Sequence, residues 1–200
     1  MKIVKVFLFI PSFVLFTHCF CFLKERTKEE IYQKIFQENP VFISDGFDFP
    51  VGAPNAKKYY DAQPFGKNSH LGEDWNRVDG MDLGEPVYAS SNGIVSFVQD
   101  IGGGWGNVVR IVHCMPDGKL YETLYAHFQT VIVKPNAMVL RGQKIGTIGD
   151  AGGKYSPHLH FELREDIHLP VGHGYSVLTA GYLNPKEFIK KNRKLEVKSK

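Results

Sequence analysis

Ser156-Pro157-His158-Leu159-His160-Phe161-Glu162-Leu163 sets two imidazoles two residues apart inside an apolar, strand-like run. Side chains alternate faces along a strand, so His158 and His160 share one face while Leu159, Phe161 and Leu163 turn to the other. Neighbouring imidazoles pack poorly and repel when charged; a need for neutral nitrogen ligands or proton carriers explains the pair, and a metal is the obvious candidate. A second cluster, Ser69-His70-Leu71-Gly72-Glu73-Asp74-Trp75, holds an imidazole and a carboxylate four residues apart. Gly72 between them lets the backbone bend so that both face one point. A third histidine, His127, closes the run Leu124-Tyr125-Ala126-His127. Three protein ligands of nitrogen and oxygen type, with one position left for water, are what a catalytic zinc site requires. A structural site takes four ligands, usually with cysteines, and Cys114 alone cannot supply them.

Each residue has a plainer reading. A lone surface histidine or aspartate is usually only solvated, and the ordered combination is what raises the odds. Glu73 is a possible extra base, with an exposed loop glutamate as the plainer expectation. His113, His168 and His173 do not fit as ligands and read as core-edge or loop residues, and Cys114 reads as a small buried hydrophobe. The chain has no His-Glu-x-x-His pattern, which excludes the helical zinc-protease plan as a template.

The elements that position these groups follow from composition. At 200 residues and 43% hydrophobic side chains, the chain suits one well-buried domain with extensions. Its 20 glycines and 11 prolines lie between short runs rich in Val, Ile, Tyr and Phe, which predicts a mainly β fold. Strands are expected at Pro86–Ala89, Gly93–Gln99, Asn107–His113, Leu120–His127, Met138–Leu140 and Lys144–Ile148. The polar stretch up to His70 reads as a loop. Gly102-Gly103-Gly104-Trp105-Gly106 reads as a hairpin turn with an exposed aromatic beside a substrate groove, since no Gly-Lys-Ser/Thr follows it. A net charge of +3, with the basic excess at the C-terminus, makes no case for nucleic acid as a partner.

The N-terminus differs in kind. Lys2 and Lys5 precede an almost unbroken apolar run from Val6 to Leu23, the layout of an export signal. Pro11, Thr17 and His18 weaken it as a membrane span, although an uncleaved anchor stays open. No small-residue cleavage site is visible, and Cys19 or Cys21 is a candidate for lipidation. Expected organisation is therefore a signal peptide or anchor over 1–23, a helical spacer over 24–45, the domain over 46–188 and a basic tail over 189–200. The spacer carries Ile31, Ile35 and Phe36 at helical spacing; Asn184-Pro185 supplies an N-cap and first residue for a closing helix.

Taken in order, Pro86-Val87-Tyr88-Ala89, Gly93-Ile94-Val95, Gly104-Trp105-Gly106-Asn107, Leu124-Tyr125-Ala126-His127, Gly142-Gln143, Ile145-Gly146 and Pro157-His158-Leu159-His160-Phe161-Glu162 resemble the zinc endopeptidases of the lysostaphin and LytM type, family M23. The resemblance spans about Gly46 to Phe188. It implies a small antiparallel β-sandwich with a groove across one face, to which the residue pattern adds the short N- and C-terminal helices. It also implies one zinc ion held by His70, Asp74 and His160, with His127 and His158 as an unmetallated catalytic pair. The implied substrate is the peptide part of bacterial peptidoglycan, and the implied location is the periplasm or cell envelope. Two stretches depart from the family pattern: Gly149–Ser156 lacks the usual Thr-Gly before Pro-His, and Arg164–Tyr182 is a longer link that is expected to form an added loop at one end of the site. A noncatalytic wall-binding or hydrolase-activating module of the same fold, and a secreted protease for glycine-rich proteins, are the competing readings.

Overall fold

A computed structural model describes residues 25–194; the apolar segment with Cys19 and Cys21, and the last six tail residues, lie outside the described residues. The chain opens with helix α1 (Lys28–Glu38), started by a capping box in which Thr27 Oγ1 accepts from the Glu30 amide at 3.2 Å and Glu30 answers on the Thr27 amide at 2.9 Å. Ten strands follow: β1 (Tyr59–Gln63), β2 (Glu73–Arg77), β3 (Pro86–Tyr88), β4 (Gly93–Asp100), β5 (Asn107–Cys114), β6 (Leu120–Val131), β7 (Met138–Val139), β8 (Lys144–Ile148), β9 (Leu159–Arg164) and β10 (Tyr182–Leu183). Helix α2 (Pro185–Lys191) closes the domain, with the Asn184 side chain accepting from the Glu187 amide. Among the described residues, no helix is long and apolar enough to cross a membrane.

Every strand pairing is antiparallel. The main run is β1-β2-β9-β6-β5-β4-β7. Strand β6 is long enough to serve two neighbours: residues 122–126 pair with β9, and residues 128–131 pair with β8, which also carries β3. One core joins Val87 and Ile145 of that branch to Val95, Ile111, Phe128 and Phe161, so the sheet closes over its own apolar face in the manner of a sandwich. The mainly β fold with short terminal helices is thus as expected from the residues, and the antiparallel pairing as expected from the family resemblance.

The structure departs from expectation in several places, among them strand β2 (Glu73–Arg77), which the residue pattern did not predict. The polar stretch before His70 is not all loop, because Tyr59–Gln63 forms β1, an edge strand that pairs with β2. The spacer helix is present and docked on the domain, with Phe36 buried against Ile94, Val112, Cys114, Leu120 and Ile167. Arg193, at the start of the basic tail, is fastened at 3.1 Å to Asp48 and at 2.7 Å to the Pro54 carbonyl.

Candidate metal centre

The register of three strands sets the site. Asp74 on β2 stands opposite His160 on β9, which stands opposite Ala126 on β6, so all three share one face of the sheet. His70 arrives from a tight turn in which Gly66, Asn68 and Ser69 all have left-handed φ. Its Nε2 lies 3.0 Å from His160 Nδ1 and 3.4 Å from Asp74 Oδ1, and His160 Nδ1 lies 3.0 Å from the same oxygen. Tetrahedral ligands at about 2.0–2.1 Å from zinc sit about 3.3–3.4 Å from one another, so the three separations are close to the spacing zinc needs. These three residues form a group able to hold a metal ion.

Gly72 acts differently from the bend expected of it. A Cβ there would lie 2.6 Å from the Phe161 carbonyl and 2.9 Å from His160 Cε1, so glycine is needed for β9 to approach.

His127 and His158 join the same space by different routes. His158 precedes β9 on the face of His160. His127 comes one residue after Ala126 and by simple alternation would turn into the core; its φ of 64° and the register slip in β6 re-aim it, and Phe128 takes the core position instead. The bulge needs Gly149 beside it, where a Cβ would lie 2.5 Å from the His127 carbonyl. The two rings meet edge to face at 4.7 Å, and His127 lies 5.7 Å from His160.

Each of the four imidazoles has its outer nitrogen spoken for. His70 Nδ1 donates to the Gln63 carbonyl at 3.0 Å, His127 Nδ1 to the Trp105 carbonyl at 3.2 Å and His158 Nδ1 to the Ser156 carbonyl at 2.8 Å. His160 Nε2 donates to Glu162 Oε1 at 3.0 Å. Partners of this kind select the tautomer, and the inward nitrogens are left with lone pairs for a cation or a proton.

Electrostatics point the same way. Burial pulls His160 down, yet the Asp74 and Glu162 carboxylates override it and hold the imidazole up to about 9. A buried ring between the buried Glu162 and the partly buried Asp74 carboxylates needs positive charge, and a proton or a metal cation meets that need. Burial acts to raise Asp74, but His160, His70 and His158 keep it below the usual carboxylate range. Burial and the neighbouring His160 lower His70. Burial, then His160 and His158, push His127 down to about 3, so it is neutral at physiological pH.

A cavity of about 630 Å³ opens onto Asp74, His127, His158 and His160, with His70 buried behind them. Trp105, Tyr155 and Tyr175 form its aromatic walls, with His173 and Gly174 at the mouth. Trp105 is half-buried rather than a free-standing turn residue: its ring lies 5.2 Å from that of His160, and its indole N–H donates to the Gly172 carbonyl at 3.1 Å. The added loop between β9 and β10 does lie at one end of the site. Tyr175 packs on His70 at 5.1 Å between ring centres and accepts from Gln63 Nε2, while the Leu71 amide donates to the Gly174 carbonyl.

Glu73 is no exposed loop glutamate. It pairs with Phe161 on the core face of β2, pointing away from the site, and burial with the Asp61 charge pushes it up to about 7. Glu162, the partner of His160 Nε2, is a candidate site residue missed in the sequence; the two-residue period that joins His158 to His160 continues to it and would have found it. His113 is buried in the core, His168 is exposed against Glu29, and Cys114 is buried.

The profile of Peptidase family M23 matches residues 68–177, more than half of the chain. The chain belongs to family M23. Peptidoglycan DD-endopeptidase ShyA of Vibrio cholerae is 36% identical over 135 residues, covering 66% of this chain and 27% of that protein. Lipoprotein NlpD of Yersinia enterocolitica is 38% identical over 81 residues, covering 40% of this chain and 78% of that sequence. The fold superposes on the antimicrobial peptidase lysostaphin from Staphylococcus simulans with a TM-score of 0.52 and 27% identity, over 67% of this chain and 50% of lysostaphin. This M23 chain therefore spans only about a quarter of ShyA, and peptidoglycan endopeptidases are among its relatives.

Proposed function

We infer that this M23 protein is an exported zinc metalloendopeptidase that hydrolyses peptide bonds in bacterial peptidoglycan. The observation that carries the reading is the convergence of His70 Nε2, Asp74 Oδ1 and His160 Nδ1 beside two further imidazoles, His127 and His158, that line the adjoining cavity. His70, Asp74 and His160 would hold the ion. Zinc bound there would supply Lewis acidity and lower the pKa of a water molecule toward about 7.

The chain's own groups divide the remaining work. His127, buried and held down to about 3, is too weak a base to carry a proton near neutral pH; its inward Nε2 orients a water by accepting its hydrogen bond. His158 is the more accessible of the pair, with its Nε2 3.7 Å from Asp74 Oδ1, and is the better placed to take a proton and return it to the leaving amine. Trp105, Tyr155 and Tyr175 exclude water and grip the peptide. Export, and attachment to the membrane by the N-terminus or by lipid on Cys19 or Cys21, rest on the apolar segment of the sequence.

Purified murein incubated with the full chain, with and without chelator and with Asp74→Ala, tests the function. Chelator-sensitive release of peptide fragments, read by mass spectrometry and lost in the variant, is the expected result. Murein binding with no such release makes the protein a wall-binding module, and preferential cleavage of soluble glycine-rich protein makes it a different protease.

A further inference from the structure

Arg164 continues the polar face of β9 beyond His160 and Glu162, and it is fully buried. Its Nε and Nη2 donate to Glu162 Oε2 at 2.9 and 2.5 Å, on the carboxylate whose other oxygen receives His160. Its Nη1 lies 3.6 Å from Glu122 Oε1, the oxygen that Arg110 Nε meets at 2.7 Å. Two arginines and two glutamates therefore form one buried chain. Apolar residues of similar volume would fill such a space at no loss of stability, so the network calls for another explanation.

Its spare N–H groups supply that explanation. Residues 165–181 contain no helix or strand, and the part-buried carbonyls of 169–171 take their donors from elsewhere. Arg110 Nη2 donates to the Leu169 carbonyl at 2.7 Å, and Arg164 Nη1 and Nη2 donate to Pro170 at 3.0 Å and Val171 at 2.9 Å. Trp105 takes the next carbonyl, Gly172, and residues 173–175 then line the cavity. A Cβ on Gly174 would lie 3.4 Å from Trp105 and 3.9 Å from His160 Cε1, so a small shift of this segment alters the mouth of the site.

The geometry points to Glu162–Arg164–Glu122–Arg110 as a single positioning unit that sets two walls of the metal centre together. Through Glu162 it holds the His160 ring, and through the guanidinium forks it holds 169–171 and thereby the cavity wall at His173–Tyr175. Arg164 is the hinge between the two arms and is a positioning residue. Its fork is what matters, since an ammonium cannot reach a carboxylate and two carbonyls at once. The zinc arm rests on the function proposed above; the loop arm does not.

The test uses the full chain and two measurements. Hydrogen–deuterium exchange reports on amides 169–175, and competition with a chromophoric chelator reports on zinc affinity. Arg164→Lys is expected to speed exchange across 169–175 and to weaken zinc about tenfold or more, as other changes behind metal ligands do. Arg110→Gln is expected to speed exchange across 169–171 and to raise KM for a murein peptide, with a smaller loss of zinc affinity than Arg164→Lys because Arg110 reaches Glu162 only through Glu122 and Arg164. Should Arg164→Lys fail to fold, Glu162→Asp tests the zinc arm and Arg110→Gln the loop arm. Folded variants with the exchange pattern and zinc affinity of the parent overturn the proposal. A parent chain that binds no zinc overturns the function instead, with exchange still deciding the loop arm.

Discussion

The two faces of β9 are buried alike and are built on opposite principles. Leu159, Phe161 and Leu163 face the core, where stability comes from removing apolar area from water and filling space. His160, Glu162 and Arg164 face the site, where every polar atom is matched to a partner of opposite character. Burying that second set brings little net stability, because desolvation offsets the attraction. What it brings is orientation: nitrogen lone pairs aimed into a cavity and a loop held over it. The core face also admits polar groups, such as His113 between the Asn92 carbonyl at 2.8 Å and Thr123 Oγ1 at 2.7 Å, but these close on themselves and reach no cavity.

Substitutions on either face should separate function from stability. Asp74→Ala removes the one carboxylate of the candidate metal group and should abolish zinc binding in a chelator competition and peptide release from murein, while the fold survives by circular dichroism. His158→Ala, which removes the group proposed to carry the proton, should lower kcat by about 10²–10⁴-fold and leave zinc affinity intact. Turnover that persists at the parent level in either variant breaks the distinction between the faces.

Phe161→Ala, one residue along from His160, should do the reverse. It should cost about 3–5 kcal/mol in denaturant unfolding and leave the folded fraction able to bind zinc. His113 supplies a pH-dependent case on the same face. Burial pushes it down to about 4 from an ordinary value near 6.5, so the stability it contributes is present above about pH 6.5 and is lost as pH falls toward 4. Thermal melts of His113→Gln should show a flatter slope across that window, by roughly 2–3 kcal/mol. The smallest effect should come from Asn184→Ala at the start of α2, about 1 kcal/mol, with no change at the metal centre.

Much of this was readable from residue order. Strands β4, β5 and β8 follow from β-branched runs punctuated by glycine and proline, and the closing helix from Asn184-Pro185. Strands β1 and β2 were not, because Tyr-Tyr-Asp-Ala-Gln and Glu-Asp-Trp-Asn-Arg lack that composition and become strands by pairing: β2 with β9, and β1 with β2. Glu73 was misjudged for the same reason. Without a strand there is no alternation, and a glutamate next to Asp74 looks exposed.

The amino-acid order by itself determined the cast: imidazoles at 70, 127, 158 and 160, the carboxylate at 74, and an alternation that puts His158 and His160 on one face. Only the folded chain decided how they meet. The bulge that swings His127 out of the core, the glycine that lets β9 approach His70, and the buried arginines that hold loop carbonyls all join residues far apart in sequence. Local periodicity carries no information about such pairings, because close approach and charge neutralisation depend on which backbones the sheet brings side by side.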